Sequence, residues 1–316
     1  MIKNKLPWRT ILNQKVEFFN RRTSQIEVEK IYGDSIMRFL YENPLGLKLS
    51  KLVTNRVTSS VYGQYQNFDL SQYKVPSFVK KFNIQMDEYQ PGSLPHSAKE
   101  HSYKNFNEFF IRKFILGKRV FNNDPHIMPA FSEARYVGFS SIDSSVTFPV
   151  KGKYLNSKDL LHNEKLAQKF HGGPLLIARL CPVDYHRFHF PDSGEKIDTF
   201  RITGKFDSVS PIALRLKPDI FIENERQVTI LKTKNFGHLA YIEVGAMCVG
   251  KIIQTHQSKH FMRGEEKGYF LFGGSTVVVM GEKGAWKPSS DILTNTKNNL
   301  ETFIQLGDQV ALKETT

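Results

Sequence analysis

Two apolar, β-prone runs at residues 269–272 and 277–280 flank the step Gly273-Gly274-Ser275-Thr276. Taken alone, this is a strand, a tight turn and a second strand, because a Gly-Gly pair supplies the positive φ angles that a hairpin needs. The same step also permits a chemistry that constrains the chain far more. A hydroxyl attacks the carbonyl of the residue before it only where the backbone is strained and the carbonyl unhindered, and glycine meets both conditions. Attack by Ser275 Oγ on the Gly274 carbonyl turns the amide into an ester. β-Elimination then cuts the chain, and hydrolysis of the dehydroalanine leaves a pyruvoyl group on the new N-terminus. That ketone is an electrophile and electron sink that no encoded side chain offers. Such a reaction needs a base and an orienting acid nearby.

Residues 182–191, PVDYHRFHFP, offer the base. His186 and His189 stand three apart, beside Asp184 and Arg187, and imidazole is the side chain best placed to move protons near neutral pH. On a regular strand Asp184 and His186 share one face and His189 points the other way. Only one histidine then reaches Ser275, unless a bulge or a helical turn intervenes. The geometry of the stretch alone does not choose between them. Residues 129–136, PAFSEARY, place Glu133 at a loop-to-strand junction. A carboxylate that accepts from an imidazole fixes its tautomer, although a lone glutamate is more often a surface residue.

The remaining composition suits a packed protein. In 316 residues, 40% are hydrophobic and 12% aromatic, and the net charge is +13. So basic a surface implies an anionic partner: nucleic acid, an anionic membrane surface or an acidic substrate. No RNA-binding or zinc-finger pattern is visible, so nucleic acid is not expected. Cys181 and Cys248 lie in apolar runs without a C-x-x-C spacing, which reads as reduced core thiols. No apolar run reaches 18 residues, so any membrane contact is expected at the surface.

Along the chain, a helix is expected from Asp34 or Ser35, then a basic amphipathic stretch at residues 45–53. Pro76 opens another helix, and residues 92–101 read as a linker. Asn105 caps a helix that places Phe106, Phe109, Phe110 and Phe114 on one face. From about residue 127, short strands alternate with turns: 148–150, 175–180, 199–202, 221–222, 228–231, 239–244 and 249–253. The expected fold class is α+β. Residues 1–100 form a helical cap or membrane-facing layer. Residues 101–316 form a mostly antiparallel β catalytic domain, with a lipoyl-like or barrel-like character suggested by the Gly307-Asp308 turn.

Together these stretches resemble the phosphatidylserine decarboxylase family. The resemblance runs through residues 41–49 (YENPLGLKL), 106–112 (FNEFFIR), 182–191 (PVDYHRFHFP), 209–212 (VSPI), 224–227 (NERQ), 244–250 (VGAMCVG), 264–276 (GEEKGYFLFGGST) and 301–308 (ETFIQLGD). It is similar to the branch whose processing site is GGST. The resemblance implies a carboxy-lyase made as a proenzyme that cuts itself between Gly274 and Ser275. Chains 1–274 and 275–316 would stay together as a heterodimer, with Ser275 converted to the covalent pyruvoyl cofactor. The ketone would form a Schiff base with phosphatidylserine and release CO₂ and phosphatidylethanolamine. It also implies a relay of carboxylate, histidine and Ser275. By position that relay is Glu133 and His189, leaving His186 to handle the substrate proton. The family pattern usually has Asp where Glu133 stands, so Asp184 remains a second candidate for the orienting acid. Attachment is expected at an anionic membrane surface, as a peripheral protein on the cytoplasmic face, with homo-oligomers possible. The competing classes are a pyruvoyl enzyme for a soluble amino acid and a non-catalytic basic module that binds lipid.

Overall fold

The computed structural model describes residues 15–31, 39, 43, 63–94, 102–142, 156–210, 213–214, 219–246, 251–273 and 275–314. The helix expected from Asp34, the basic stretch at 45–53, the strand at 148–150, Cys248 and Gly274 fall outside the described residues.

Among the described residues, strands dominate and helices are few and short. The largest sheet runs β11 (His260–Phe261), β7 (Gly194–Ile202), β8 (Arg226–Thr233), β9 (His238–Val244), β13 (Ser275–Gly281), β5 (Leu175–Leu180), β4 (Ala134–Phe139), β15 (Glu301–Ile304), β1 (Glu17–Asn20) and β2 (Gln25–Val28), numbered in chain order. Its ladders are antiparallel except that of β1 with β15. The central strands carry the continuous apolar runs LLIARL and STVVVMG, and every residue of both is buried. Strands covered on both faces read this way. A second sheet is β10 (Ile252–Gln254), β12 (Glu266–Phe270) and β6 (Arg187–His189). A third is β14 (Trp286–Pro288), β16 (Gln309–Lys313) and β3 (Ile127–Pro129).

The helices are α1 (Lys74–Phe82), α2 (Phe106–Phe110), α3 (Ser157–Leu161), α4 (Glu164–Phe170), α5 (Ile220–Glu223) and α6 (Ser290–Lys297). Asn105 caps α2, its side chain accepting from the Glu108 N–H at 2.9 Å. Val75 and Phe78 of α1 pack on Phe106, Phe109 and Phe110 of α2 as a second apolar cluster, which Phe272 completes.

Several expectations are corrected here. β12 and β13 do not pair as the two arms of a hairpin, because they belong to different sheets. Residues 221–222 lie in the helical turn α5, since two apolar residues are too few to carry a period. Phe114 lies beyond α2, in a bridge to Tyr89. The ten-stranded sheet does not close into a barrel; it ends at β2 and β11. The hairpin β1–β2, inside the region expected to be helical, joins this sheet through β15.

Candidate active site

Ser275 opens β13, fully buried, and stands opposite Leu180 at the end of β5. Gly273 just ahead has φ 144°, a conformation that favours glycine. Phe272 anchors this segment: its N–H donates to Asn107 Oδ1 at 2.9 Å, and its ring meets Phe106 and Phe110 edge-on. Asn107 is itself held by Gly63 and Asn67.

After Leu180 the chain does not continue as a strand. Asp184 N–H closes a turn on the Cys181 carbonyl at 2.8 Å, and Asp184 Oδ2 accepts the Cys181 N–H at 2.7 Å. The chain returns along β12, with Phe270 N–H donating to the His186 carbonyl at 2.9 Å. The histidine segment and the segment leading to Ser275 are therefore strand neighbours. This turn brings His186 Nδ1 to 3.2 Å from Ser275 Oγ, while His186 Nε2 lies 2.8 Å from the Cys181 carbonyl. A carbonyl only accepts, so Nε2 carries the proton and the Nδ1 lone pair faces the Ser275 hydroxyl. Phe110 stacks on the imidazole, with centroids 3.8 Å apart. Burial pushes the His186 pKa down to about 3, against the bond to Cys181, and the charge of Arg112 pushes the same way. The ring is thus neutral near pH 7 and free to accept a proton.

His189 faces elsewhere. Its Nδ1 donates to the Gly264 carbonyl at 2.9 Å, and the Tyr185 hydroxyl donates to its Nε2 at 3.2 Å. Burial pushes its pKa down to about 4, opposed by the Gly264 bond. Glu133 is clasped by Arg119, through Nε at 2.5 Å and Nη2 at 2.9 Å, and also accepts the Leu306 N–H. Asp184 pairs with Arg135 at 2.6 Å, and burial raises its pKa to about 6 in spite of that cation. The structure thus joins Ser275 to His186. It holds His189 with Tyr185 and Gly264, Glu133 with Arg119, and Asp184 with Arg135 and the Cys181 turn. The Cys181 carbonyl and Arg119 carry no sequence signal, since neither a backbone acceptor nor a distant arginine announces itself. Tyr185 stands inside the histidine stretch and was legible only as its neighbour.

Residues 106–311 match the family model for phosphatidylserine decarboxylase. The phosphatidylserine decarboxylase proenzyme of Clostridium tetani is 40% identical over 300 residues, covering 94% of this chain and 98% of the relative. The chain belongs to the phosphatidylserine decarboxylase family. The proenzymes of that name from Clostridium kluyveri and Ruminiclostridium cellulolyticum are 36% and 38% identical over 300 and 299 residues, covering 94% and 93% of this chain and 99% and 97% of theirs. The matched span holds all the candidate residues of this family member: Glu133, Asp184, His186, His189 and Ser275. Among the described residues no helix is long and apolar enough to cross a membrane.

Proposed function

We propose that the chain is a phosphatidylserine decarboxylase proenzyme that cuts itself between Gly274 and Ser275. The observation that carries this reading is the neutral His186, its Nδ1 lone pair aimed at Ser275 Oγ with both side chains buried. His186 Nδ1 takes the hydroxyl proton as Ser275 Oγ attacks the Gly274 carbonyl, and the proton can then pass to the departing amide nitrogen. Asn107 and the phenylalanine cluster hold the residues ahead of the bond still, and burial keeps competing water away.

The surroundings of Ser275 fit a pyruvoyl group made from it: a buried strand end, an imidazole within hydrogen-bond reach and an aromatic wall. Such a group supplies an electrophilic carbonyl and an electron sink for a primary amine such as the serine headgroup of phosphatidylserine. After cleavage His186 remains beside residue 275 and can return a proton to the α-carbon of the substrate. His189 is polarised by its bonds to Tyr185 and the Gly264 carbonyl. Glu133 binds Arg119 and the Leu306 N–H and not an imidazole.

The two chains stay together because the small one supplies β13 to the centre of the large sheet and β15 between β4 and β1, and its β16 pairs with β3 in the third sheet. Within residues 1–100, the part outside the β1–β2 hairpin serves as the membrane-associating region of a peripheral protein on the cytoplasmic face. Supporting this, Phe68, Leu70 and Tyr73 are 62, 71 and 69% exposed just ahead of α1, whose last turn carries Lys80 and Lys81. Aromatic and basic side chains together suit an anionic lipid surface.

Mass spectrometry of the purified chain tests the reading. Two fragments divided at residue 275, the smaller with a blocked N-terminus, are expected, with CO₂ released from phosphatidylserine vesicles. His186→Ala should slow cleavage about 10²–10⁴-fold. A single intact 36.4 kDa species from the unmutated chain would end the proposal.

A further inference from the structure

A buried ion network lies behind the sheet, away from Ser275. Arg135 and Arg179 stand opposite each other on β4 and β5, and Arg179 is also in register with Thr276. Successive strand residues face opposite ways, so both arginines lie on the face that Ser275 turns away from. Glu29, just beyond β2, lies between them: Oε2 is 2.5 Å from Arg179 Nη2 and 3.1 Å from Arg135 Nε. Arg179 also pairs with Glu301 of β15. Burial works against the charge on Glu29, yet the two arginines hold its pKa down at about 2.

Burying this many charges is not in itself a source of stability, because desolvation offsets the Coulomb attraction. What such a network can do is fix direction. It reaches the turn beside the reacting serine at two points. Arg179 Nη1 and Glu29 Oε1 meet the Cys181 thiol at 2.9 and 3.2 Å, and Arg135 Nη1 binds Asp184 Oδ2 at 2.6 Å, which ties down the turn's backbone. The same carboxylate oxygen accepts the Cys181 N–H, and the Asp184 N–H binds the Cys181 carbonyl. That carbonyl receives the Nε2 proton of His186. From another side Arg112 Nη2 donates to the Val183 carbonyl at 2.9 Å, closing the turn.

We propose that Arg135 is a positioning residue that acts through Asp184 and the Cys181 carbonyl to decide which imidazole nitrogen of His186 faces Ser275. The inference rests on the reading of Ser275 and His186 given above. Asp184 is then the keeper of the turn and touches no imidazole. Without the guanidinium, its carboxylate loses the cation that opposes protonation in a buried place, and the turn loses the tie that runs through its backbone while keeping the one at the Cys181 thiol. The Cys181 carbonyl is then free to tilt, and the imidazole can take its other tautomer, with the proton on Nδ1 and no lone pair for the serine.

The test uses full-length Ser275→Ala chain labelled with ¹⁵N-histidine, which cannot cleave, with the His186 signals assigned from His186→Gln. Long-range ¹H–¹⁵N correlations should show one neutral Nε2–H tautomer in Ser275→Ala. Adding Arg135→Met or Asp184→Asn should give a mixture of tautomers, while Arg135→Lys, which keeps the cation, should restore the single form. In chains that retain Ser275, Arg135→Met and Asp184→Asn should slow cleavage about tenfold or more, as loss of the correct tautomer does elsewhere, and Arg135→Lys should recover most of the rate. Circular dichroism reports folding, and if Arg135→Met does not fold, the near-isosteric Asp184→Asn decides alone. A folded Asp184→Asn chain that keeps the pure Nε2–H tautomer overturns the proposal. Failure of the unmutated chain to cleave overturns the self-cleavage reading instead, and the tautomer measurement still stands because it needs no cleavage.

Discussion

Truncating Phe272 to alanine probes how the segment ahead of Ser275 is held. The ring is 3% exposed and lies 5.2 Å from Phe106 and 5.0 Å from Phe110, centroid to centroid. These neighbours belong to α2, which is fixed by its Asn105 cap and by α1, so they cannot collapse into the space without giving up their own contacts. The loss is then transfer plus cavity, about 3–5 kcal/mol. The hydrogen bond from the Phe272 N–H to Asn107 survives, because it belongs to the backbone. Phe272→Leu retains most of the volume and should cost about 1.5 kcal/mol or less. Both variants belong in the Ser275→Ala background, so that urea unfolding reports one uncut chain, and the midpoint should shift at constant m. In chains with Ser275 intact, Phe272→Ala should also cleave more slowly than Phe272→Leu, because Phe110 touches both Phe272 and His186. A loss below about 1 kcal/mol for Phe272→Ala would refute the cavity reasoning, and equal effects of the two variants would show that ring packing is not what holds the segment.

The buried histidines make stability depend on pH. His186 and His189 have folded pKa values lowered to about 3 and 4, so the unfolded chain takes up their protons first and stability rises with pH up to roughly 6.5. Asp184, raised to about 6, works in the opposite sense between roughly pH 4 and 6. From pH 4.5 to 6 the three together give a net rise of roughly 1 kcal/mol per pH unit. Replacing His189 by Gln in Ser275→Ala should cut the measured slope by about that amount, and an unchanged slope would contradict the burial argument. Binding to anionic vesicles should weaken as salt rises, at about 1 kcal/mol per basic side chain near the surface. Lys80→Glu with Lys81→Glu should weaken flotation further, and equal binding to neutral vesicles at all salt concentrations would remove electrostatics from the account.

What the sequence determined by itself is chiefly covalent and local. The glycine-serine step, the histidine stretch and the ordered series of short motifs identify the family, because the residue types that a reaction needs are visible without coordinates. The buried strands β5 and β13 announce themselves as unbroken apolar runs, and Asn105 announces a helix start, since caps and periods are short-range physics. Two histidines three apart were expected to face different ways, and they do. What only the tertiary structure decided is which of them meets Ser275. That depends on the turn from Cys181 to Asp184, where the chain leaves regular strand geometry and alternation no longer predicts direction. The same limit applies to the partner of Glu133, an arginine fourteen residues earlier in the chain, and to the role of Asp184, which binds a turn and not a ring. It applies again to β12 and β13, which look like a hairpin from their residues and lie in different sheets, because strand pairing is settled by long-range register and burial that no local window contains.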